Sequence, residues 1–471
     1  MRFRLRLRFL YFLLSVYGLA LFSLVWRGSD IFMNQKWTTV VSKNREERAN
    51  PMPTSDVIKT KIPLANGTKC NGLFAPIVTG DKQTWMKLAD VDGYIFSAYY
   101  DDITRPIVRI IGLIAHNIQE KTMICQLWFS AEEVTSGLEV VNAELDFIPE
   151  SHGKRYRATY FLCKIPVEAK PYAVSLVAGK CNYTASVIPV LYNNEDMRNF
   201  TVCVTPFNYR YAKAYQLIEF IEMNRILGAD KIIFYNYSTN YNIDHILKWY
   251  SEKNLVHVVS WHLPMNVDRW PKTKDIVEVH YFGQLASLND CLYRNLHVSK
   301  FLVYEDLDEF IVPKTYDNWT SLLNTVDRLS SGRDIGTYIF RNTFFRGEWA
   351  DTDIEYSGKS FAKKYKSVVL LKLEREKKIL PARQRSKYII QPTKVETVGI
   401  HATWRHRSGY NSYTVPFNVA LLHHYRNWER PDDPTPRASD DTMLRFKDKL
   451  ISQIIYMWSL FEELPMDIPI N

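Results

Sequence analysis

The acidic chemistry of the chain is concentrated in one short run. Glu305, Asp306, Asp308 and Glu309 follow directly on the apolar stretch Lys300–Tyr304, with Leu307 between the two aspartates. Four carboxylates at the end of a buried strand repel one another and raise one another's proton affinity unless something positive sits among them. A divalent cation is the natural solution, because carboxylate oxygens are hard donors suited to Mg2+ or Mn2+. The Asp-x-Asp spacing lets two carboxylates meet one ion, which can in turn hold a diphosphate. A solvated acidic turn is the plainer reading of the same residues. The flanking apolar runs Phe301–Tyr304 and Phe310–Val312 weigh against it. Neither a P-loop nor a Gly-x-Gly-x-x-Gly follows any strand, which leaves kinase-like and dinucleotide-binding chemistry without support. A phosphodiester hydrolase would spread its ligands over several strands around two metals; one contiguous cluster fits one metal better.

The elements around this run have the pattern of an α/β sheet. A strand is predicted at Thr201–Thr205 and a helix at Lys213–Leu227, with Gly228 where a C-cap falls. Strands at Lys231–Tyr237 and Leu255–Trp261 flank a helix at Ile243–Asn254. A long helix is predicted at Val277–His297, then the buried strand Lys300–Tyr304, and later a strand at Ile335–Phe340. Alternating strands and helices predict a parallel sheet, and the C-terminal strand ends of such sheets are where ligands bind. Ahead of this region, residues 66–195 carry the short β-rich runs Tyr94–Tyr100, Ile107–Ala115, Thr122–Ser130, Tyr156–Cys163 and Ala173–Ala178. They predict an antiparallel β module, pictured as a separate sandwich docked on the larger domain.

Hydrophobic residues make up 46% and charged residues 24% of the 471, the proportions of a folded chain rather than a disordered one. The formal charge is +9, but Arg2, Arg4, Arg6, Arg8 and Arg27 bracket an uncharged 18-residue segment, Phe9–Trp26. Much of the basic excess therefore flanks a membrane, and no motif points to nucleic acid. Phe9–Trp26 is just long enough to span a bilayer, and the context around Trp26 and Arg27 is poor for signal cleavage. The expectation is a single-pass type II protein of the Golgi membrane with its body in the lumen. The boundaries follow: tail 1–8, anchor 9–26, stem 27–65, β-rich module 66–195 and catalytic domain 196–471. Asn-x-Ser/Thr triplets at Asn66, Asn182, Asn199, Asn236 and Asn318 are candidate glycosylation sites. Six cysteines (Cys70, Cys125, Cys163, Cys181, Cys203 and Cys291), none in a Cys-x-x-Cys pair, suggest up to three disulfides of undetermined connectivity.

Four ordered stretches together resemble the family 92 glycosyltransferases. The run from His280 to Pro313 (HYFGQLASLNDCLYRNLHVSKFLVYEDLDEFIVP) is similar to the family's core. YRYAKAYQLIEFIEMNRILGADKIIFYNYS is similar to its first helix and second strand. RSKYIIQPTKVETVGIHATW and ALLHHYRNW resemble its C-terminal signatures, so the likeness covers roughly residues 198–430. The resemblance implies a GT-A-like nucleotide-sugar-binding domain, an inverting mechanism, and Mn2+ or another divalent cation. It also implies transfer of galactose from UDP-galactose to a glycan, such as fucose on an N-glycan core or a galactan chain. Asp306 and Asp308 fall on the family's metal motif. His424 lies in its His-Tyr-Arg motif and is favoured as a further metal ligand over His401 of the Gly-Ile-His motif.

An inverting transfer needs a base for the acceptor hydroxyl. Glu348 is preferred over Asp351 and Asp353, because Trp349 beside it offers a ring to an acceptor sugar. Arg346, Arg385 and Arg426 are candidate diphosphate contacts, since guanidinium matches phosphate geometry. The expected partners are the nucleotide sugar, a glycan acceptor, the membrane and a second copy in a homodimer. The rival reading is an inactive, glycan-binding Golgi membrane protein that keeps the fold and has lost transfer.

Overall fold

The computed structural model describes residues 83–469, apart from 90, 117–122, 130–136, 167–169, 179–185, 193, 269–271, 273 and 428–433. The stretches read as tail, anchor and stem lie outside the described residues, as do Asn66, Cys70, Cys181 and Asn182. Among the described residues no helix is long and apolar enough to cross a membrane.

Eight strands come first: β1 (Met86–Lys87), β2 (Gly93–Asp101), β3 (Ile107–Ala115), β4 (Met123–Phe129), β5 (Leu138–Phe147), β6 (Tyr156–Lys164), β7 (Pro171–Ala178) and β8 (Val187–Leu191). Their order is β1-β2-β3-β6-β5-β4-β7-β8, and β8 pairs back onto β2. The expected sandwich is therefore a sheet closed on itself. Seven strands form the ring, and an odd ring cannot alternate direction throughout, so one junction must be parallel. That junction is β2–β8, through Ala98↔Val190 and Tyr99↔Leu191. Closure removes exposed edges. Cys125 on β4 and Cys163 on β6, both fully buried, form a disulfide between the two strands that flank β5.

The second region alternates as expected: β9 (Arg198–Val204), α1 (Ala214–Leu227), β10 (Lys231–Asn236), α2 (Tyr241–Glu252), β11 (Val256–Ser260), α3 (Gln284–Arg294), β12 (Ser299–Glu305), β13 (Glu309–Pro313) and α4 (Trp319–Leu329). Gly228 ends α1 in the left-handed conformation, its N–H bonded to the carbonyls of Asn224 and Arg225. Then come β14 (Ile335–Phe340), β15 (Asn342–Arg346), β16 (Glu374–Glu376), β17 (Lys387–Ile390), β18 (Val395–Val398), β19 (Thr403–His406), β20 (Asn411–Thr414) and β21 (Ala420–Arg426). The central sheet runs β11-β10-β9-β12-β17-β14-β20. Its first four strands are parallel, but β17 runs antiparallel to both neighbours, so the sheet is mixed rather than all-parallel. A small sheet, β13-β21-β15, stands beside it.

Side chains alternate across the central strands into two cores. Phe200, Val202, Ile232, Phe234 and Val303 face α1, α2, α4 and the C-terminal helix Lys447–Leu460. Cys203, Ile233, Tyr235, Leu302 and Tyr304 face the other way, into a cluster shared with Phe96, Tyr99, Ile111 and Tyr160 of the closed sheet. α3 lies in this shared layer and carries its polar ties. The Asp290 carboxylate accepts from Ser97 Oγ at 2.5 Å, and from the Tyr99 and Tyr235 hydroxyls at 2.7 Å each. Asn289 accepts from the Tyr160 hydroxyl at 2.5 Å and holds both backbone groups of Val398. A disulfide from Cys203 to Cys291 fixes α3 to β9. Residues 83–469 thus share one interior, and the closed sheet caps a face of the central sheet that would otherwise meet water.

A fragment beginning near residue 196 exposes that whole apolar face and removes the Ser97, Tyr99 and Tyr160 hydroxyls from Asp290 and Asn289. We predict that it aggregates and shows no cooperative unfolding in a circular-dichroism melt. A single sharp transition for the fragment would contradict a shared core.

Candidate active site

The tight connection from β12 to β13 separates the four carboxylates. Glu309 N–H donates to the Asp306 carbonyl at 3.0 Å, and Asp306 N–H donates back to Glu309 Oε2 at 3.1 Å. Glu305 and Glu309 turn inward and are buried, while Asp306 and Asp308 keep about a third of their side chains exposed. Glu305 accepts the Ile311 N–H, and its second oxygen has no partner. Burial, with the Glu309 charge adding to it, holds Glu305 well above the usual carboxylate range.

Two cations balance the rest. Lys387, at the start of β17, is 1% exposed; its Nζ lies 2.9 Å from Asp306 Oδ2 and 3.5 Å from Glu309 Oε2. Burial works against its charge, but Asp306 and Glu309 outweigh burial and raise its pKa above the ordinary lysine value. Asp306 also accepts from Thr205 Oγ1 at 2.8 Å. Burial alone would raise Asp306, yet Lys387 and Thr205 hold it below the usual range. His424 comes from β21, where its backbone pairs with Glu309. Its Nδ1 lies 3.1 Å from Glu309 Oε1 and its Nε2 3.4 Å from Asp308 Oδ2. Burial opposes a charged imidazole there, but the two carboxylates prevail and push it up to about 10. Lys387 and His424 thus lie among Asp306, Asp308 and Glu309.

Sequence reasoning missed Lys387, Thr205 and Tyr281. Lys387 stands inside a stretch quoted for the family likeness, yet nothing in its neighbours marks it as a counter-ion. The signal available was the excess of carboxylate itself, which demands a buried cation. Tyr281 is missed because the predicted helix Val277–His297 forms only from Gln284 to Arg294. Tyr281 (φ 34°) and Phe282 (φ 54°) are left-handed, and the regular helix starts only at Gln284. Phe282 is buried, and Trp261 Nε1 donates to its carbonyl at 2.8 Å; this tertiary anchor overrides local helix propensity. The break leaves Tyr281 47% exposed. Its hydroxyl is raised by burial first and then by the charge of Asp306, with a smaller push from Asp308.

The remaining predicted residues are dispersed around this centre. His401 sits in the turn between β18 and β19, its Nδ1 3.3 Å from the Ser386 carbonyl. Burial and then the Lys387 charge lower its pKa, with Glu309 and Asp306 pulling the other way. Arg385 is exposed on the loop two residues before Lys387. Arg426 ends β21 in register with Arg346 of β15. Arg346 is buried and bonded to Glu376, which commits it to structure. Glu348 lies on the turn just after β15, 3.9 Å from Arg346. Trp349 is buried, with the guanidinium groups of Arg346 and Arg437 over its ring at 5.5 and 4.2 Å. It therefore offers no free face to a sugar, and that argument for Glu348 falls. Asp351 pairs with Lys372 at 3.0 Å, and Asp353 is exposed. Among the sequons, Asn199 is exposed, Asn318 caps α4 by accepting the Ser321 N–H, and the half-buried Asn236 donates its amide to Thr239.

Among the described residues, no group of three or more His, Cys, Asp or Glu side chains is already closed around a metal position. Asp306 is turned toward Lys387 and Thr205. Asp308 and His424 face one another, a carboxylate oxygen opposite an imidazole nitrogen. With its proton given up, the imidazole joins the carboxylate in a donor set that fits a divalent cation.

The chain belongs to glycosyltransferase family 92, whose family model matches residues 198–456. It is similar to a beta-1,4-galactosyltransferase of Caenorhabditis elegans, with 25% identity over 75% of this chain and 78% of that protein. A galactan beta-1,4-galactosyltransferase of Arabidopsis thaliana is 24% identical over 36% of this chain, which spans 31% of the plant protein. The S. aureus TarS 1–349 structure with UDP-GlcNAc matches at TM-score 0.26 and 10% identity over 56% of this chain and 73% of that one, a likeness that carries no argument here.

Replacing Lys387 by Met removes the cation from Asp306 and leaves the buried Glu309 with His424 alone. Removing one partner of a buried pair costs roughly 3–5 kcal/mol. The K387M protein is expected to unfold at visibly lower denaturant concentration than the parent. An unchanged midpoint would show that Lys387 is not the counter-ion.

Proposed function

We propose that the chain is an inverting, metal-dependent galactosyltransferase that moves galactose from UDP-galactose to a glycan acceptor such as fucose on an N-glycan core. The observation that carries this reading is the approach of the Asp308 carboxylate and the His424 imidazole, 3.4 Å apart, beside Asp306 at the C-terminal end of β12. Membership of the family and the galactosyltransferase names of its relatives support the donor. The GT-A-like character of the donor domain and the inverting course, both implied by the family resemblance, belong to the same reading.

Asp308 and His424 would hold Mn2+ or another divalent cation. When bound, such an ion neutralises charge on the diphosphate of the leaving UDP. Asp306, anchored by Lys387 and Thr205, keeps its carboxylate fixed at the pocket floor, so that little reorganisation is needed when donor arrives. Arg385 and Arg426, on the chain segments next to Lys387 and His424, are the guanidinium groups nearest in sequence for phosphate contact. Glu348 remains the proposed base, because β15 and β21 run in parallel register and deliver it to the same sheet end as His424 and Arg426. It would take the proton from the acceptor hydroxyl.

Asp308→Ala is expected to lower transfer by at least about a hundredfold, the scale of losing an electrostatic group aimed at developing charge. Its secretion and melting should match the parent, since Asp308 is partly exposed. Full transfer in the variant, or in the parent after EDTA treatment, would overturn the metal role.

The body is proposed to sit in the Golgi lumen behind the Phe9–Trp26 anchor. Among the described residues, Asn199 and Asn318 are the sequons proposed for glycosylation. Endoglycosidase should shift the expressed protein on a gel and leave the double variant Asn199→Gln, Asn318→Gln less shifted. An unshifted parent would contradict lumenal placement.

A further inference from the structure

A cavity of about 400 Å³ opens at the seam between the closed sheet and the catalytic region. Asp306, Asp308 and His424 take no part in it. Its walls come from β3, β5 and β6 on one side and from the β18–β19 hairpin on the other, with Leu145 and Leu162 giving an aliphatic patch. The volume falls within the ~300–1,000 Å³ of ordinary ligand sites, toward the small end.

The polar lining is built of both signs. Arg405 pairs with Asp146 and, at 2.7 Å, with Glu396. Arg407 and Arg109 both pair with Asp101, at 3.0 and 3.1 Å. Arg109 and Arg407 are more than nine-tenths buried, yet Nε and Nη1 of Arg109 and Nε of Arg407 have no hydrogen-bond partner. Those atoms are sealed from the cavity, and the Arg109 guanidinium lies 4.8 and 4.5 Å from the ring centroids of Tyr160 and Tyr293, so the lining groups a ligand can reach include Arg405, Asp146 and Glu396. The charges of the lining nearly balance, Asp101, Glu144, Asp146 and Glu396 against Arg105, Arg109, Lys164, Arg405 and Arg407, which favours neither a strong anion nor a strong cation. A hydroxyl both donates and accepts, so a neutral polyol can satisfy guanidinium and carboxylate together, while its C–H face lies on Leu145 and Leu162.

The hairpin also gives the cavity a spatial relation to the candidate active site. His401, in its turn, feels the charges of Lys387, Glu309 and Asp306. Arg405 follows four residues later, at most about 13 Å of extended chain away. We propose that this cavity is a second saccharide-binding subsite, which holds a neutral part of the acceptor glycan remote from the hydroxyl that receives the sugar. The proposal rests on the glycosyltransferase reading above. Binding energy from such a remote part engages and orients the acceptor without touching the donor.

The test compares two acceptors on the full-length protein: a fucosylated N-glycan-core oligosaccharide and methyl fucoside. The variants are Asp146→Ala with Arg405→Ala, which removes a pair together, and Leu162→Trp, which fills the cavity. KM for the oligosaccharide is expected to rise about tenfold in both. KM for methyl fucoside and the rate of UDP-galactose hydrolysis should stay within about twofold. An oligosaccharide KM equal to that of the parent in a folded variant would overturn the subsite. If the parent transfers to neither acceptor, the donor–acceptor reading fails separately. The subsite is then read by saturation-transfer NMR of the oligosaccharide on parent and Leu162→Trp, where signal lost in the variant supports it and equal signal or none in the parent refutes it. Should the double variant not fold, Leu162→Trp alone decides by the same two readouts.

Discussion

The structure turns on one electrostatic constraint: carboxylates gathered at the end of β12 must be compensated from elements distant in sequence. Lys387 arrives 81 residues after Asp306, on the antiparallel strand β17, and His424 arrives from β21 beside Glu309. The strand order places both. Had β17 run parallel to β12, the start of the strand, and with it Lys387, would lie at the opposite end of the sheet. The departure from an all-parallel sheet is therefore what makes the acidic turn tolerable. Glu305, its proton affinity raised by burial, braces the turn by accepting the Ile311 N–H.

Positioning of that turn depends in its turn on the opposite face of the sheet. Thr205, which bonds Asp306, follows directly on β9; Cys203 on the same strand is disulfide-linked to Cys291 of α3. α3 is gripped by Ser97, Tyr99 and Tyr160 of the closed sheet. The N-terminal strands thus act on the candidate site through packing and buried hydrogen bonds, without contributing a carboxylate to it. Such fully satisfied buried networks rigidify the elements they join.

Much of this was legible in the sequence. Strand runs such as Ile107–Ala115 and Ile335–Phe340 carry enough β-branched and aromatic residues to be read to the residue, and Gly228 announced the end of α1. β5 was not legible: its ten residues include Asn142, Glu144 and Asp146, and one face is solvated. The helix expected through Tyr281 and Phe282 failed because the indole of Trp261, some 20 residues away in sequence, fixes a left-handed backbone there. The carboxylate turn was plain from composition, whereas its counter-ions were not, since long-range pairing leaves no local pattern. Trp349 shows the same limit from the other side: a ring suited by type to a sugar is enclosed by two arginines.

The central claim is that Asp308 and His424 bind the donor diphosphate through a divalent cation. Isothermal titration calorimetry of UDP into the intact protein, with and without Mn2+, tests it most directly, with Asp308→Asn as the matched control. The account predicts measurable UDP binding only with Mn2+, and its loss in Asp308→Asn while the thermal midpoint is kept. Equal UDP affinity in EDTA, or in the Asp308→Asn protein with Mn2+, would contradict it.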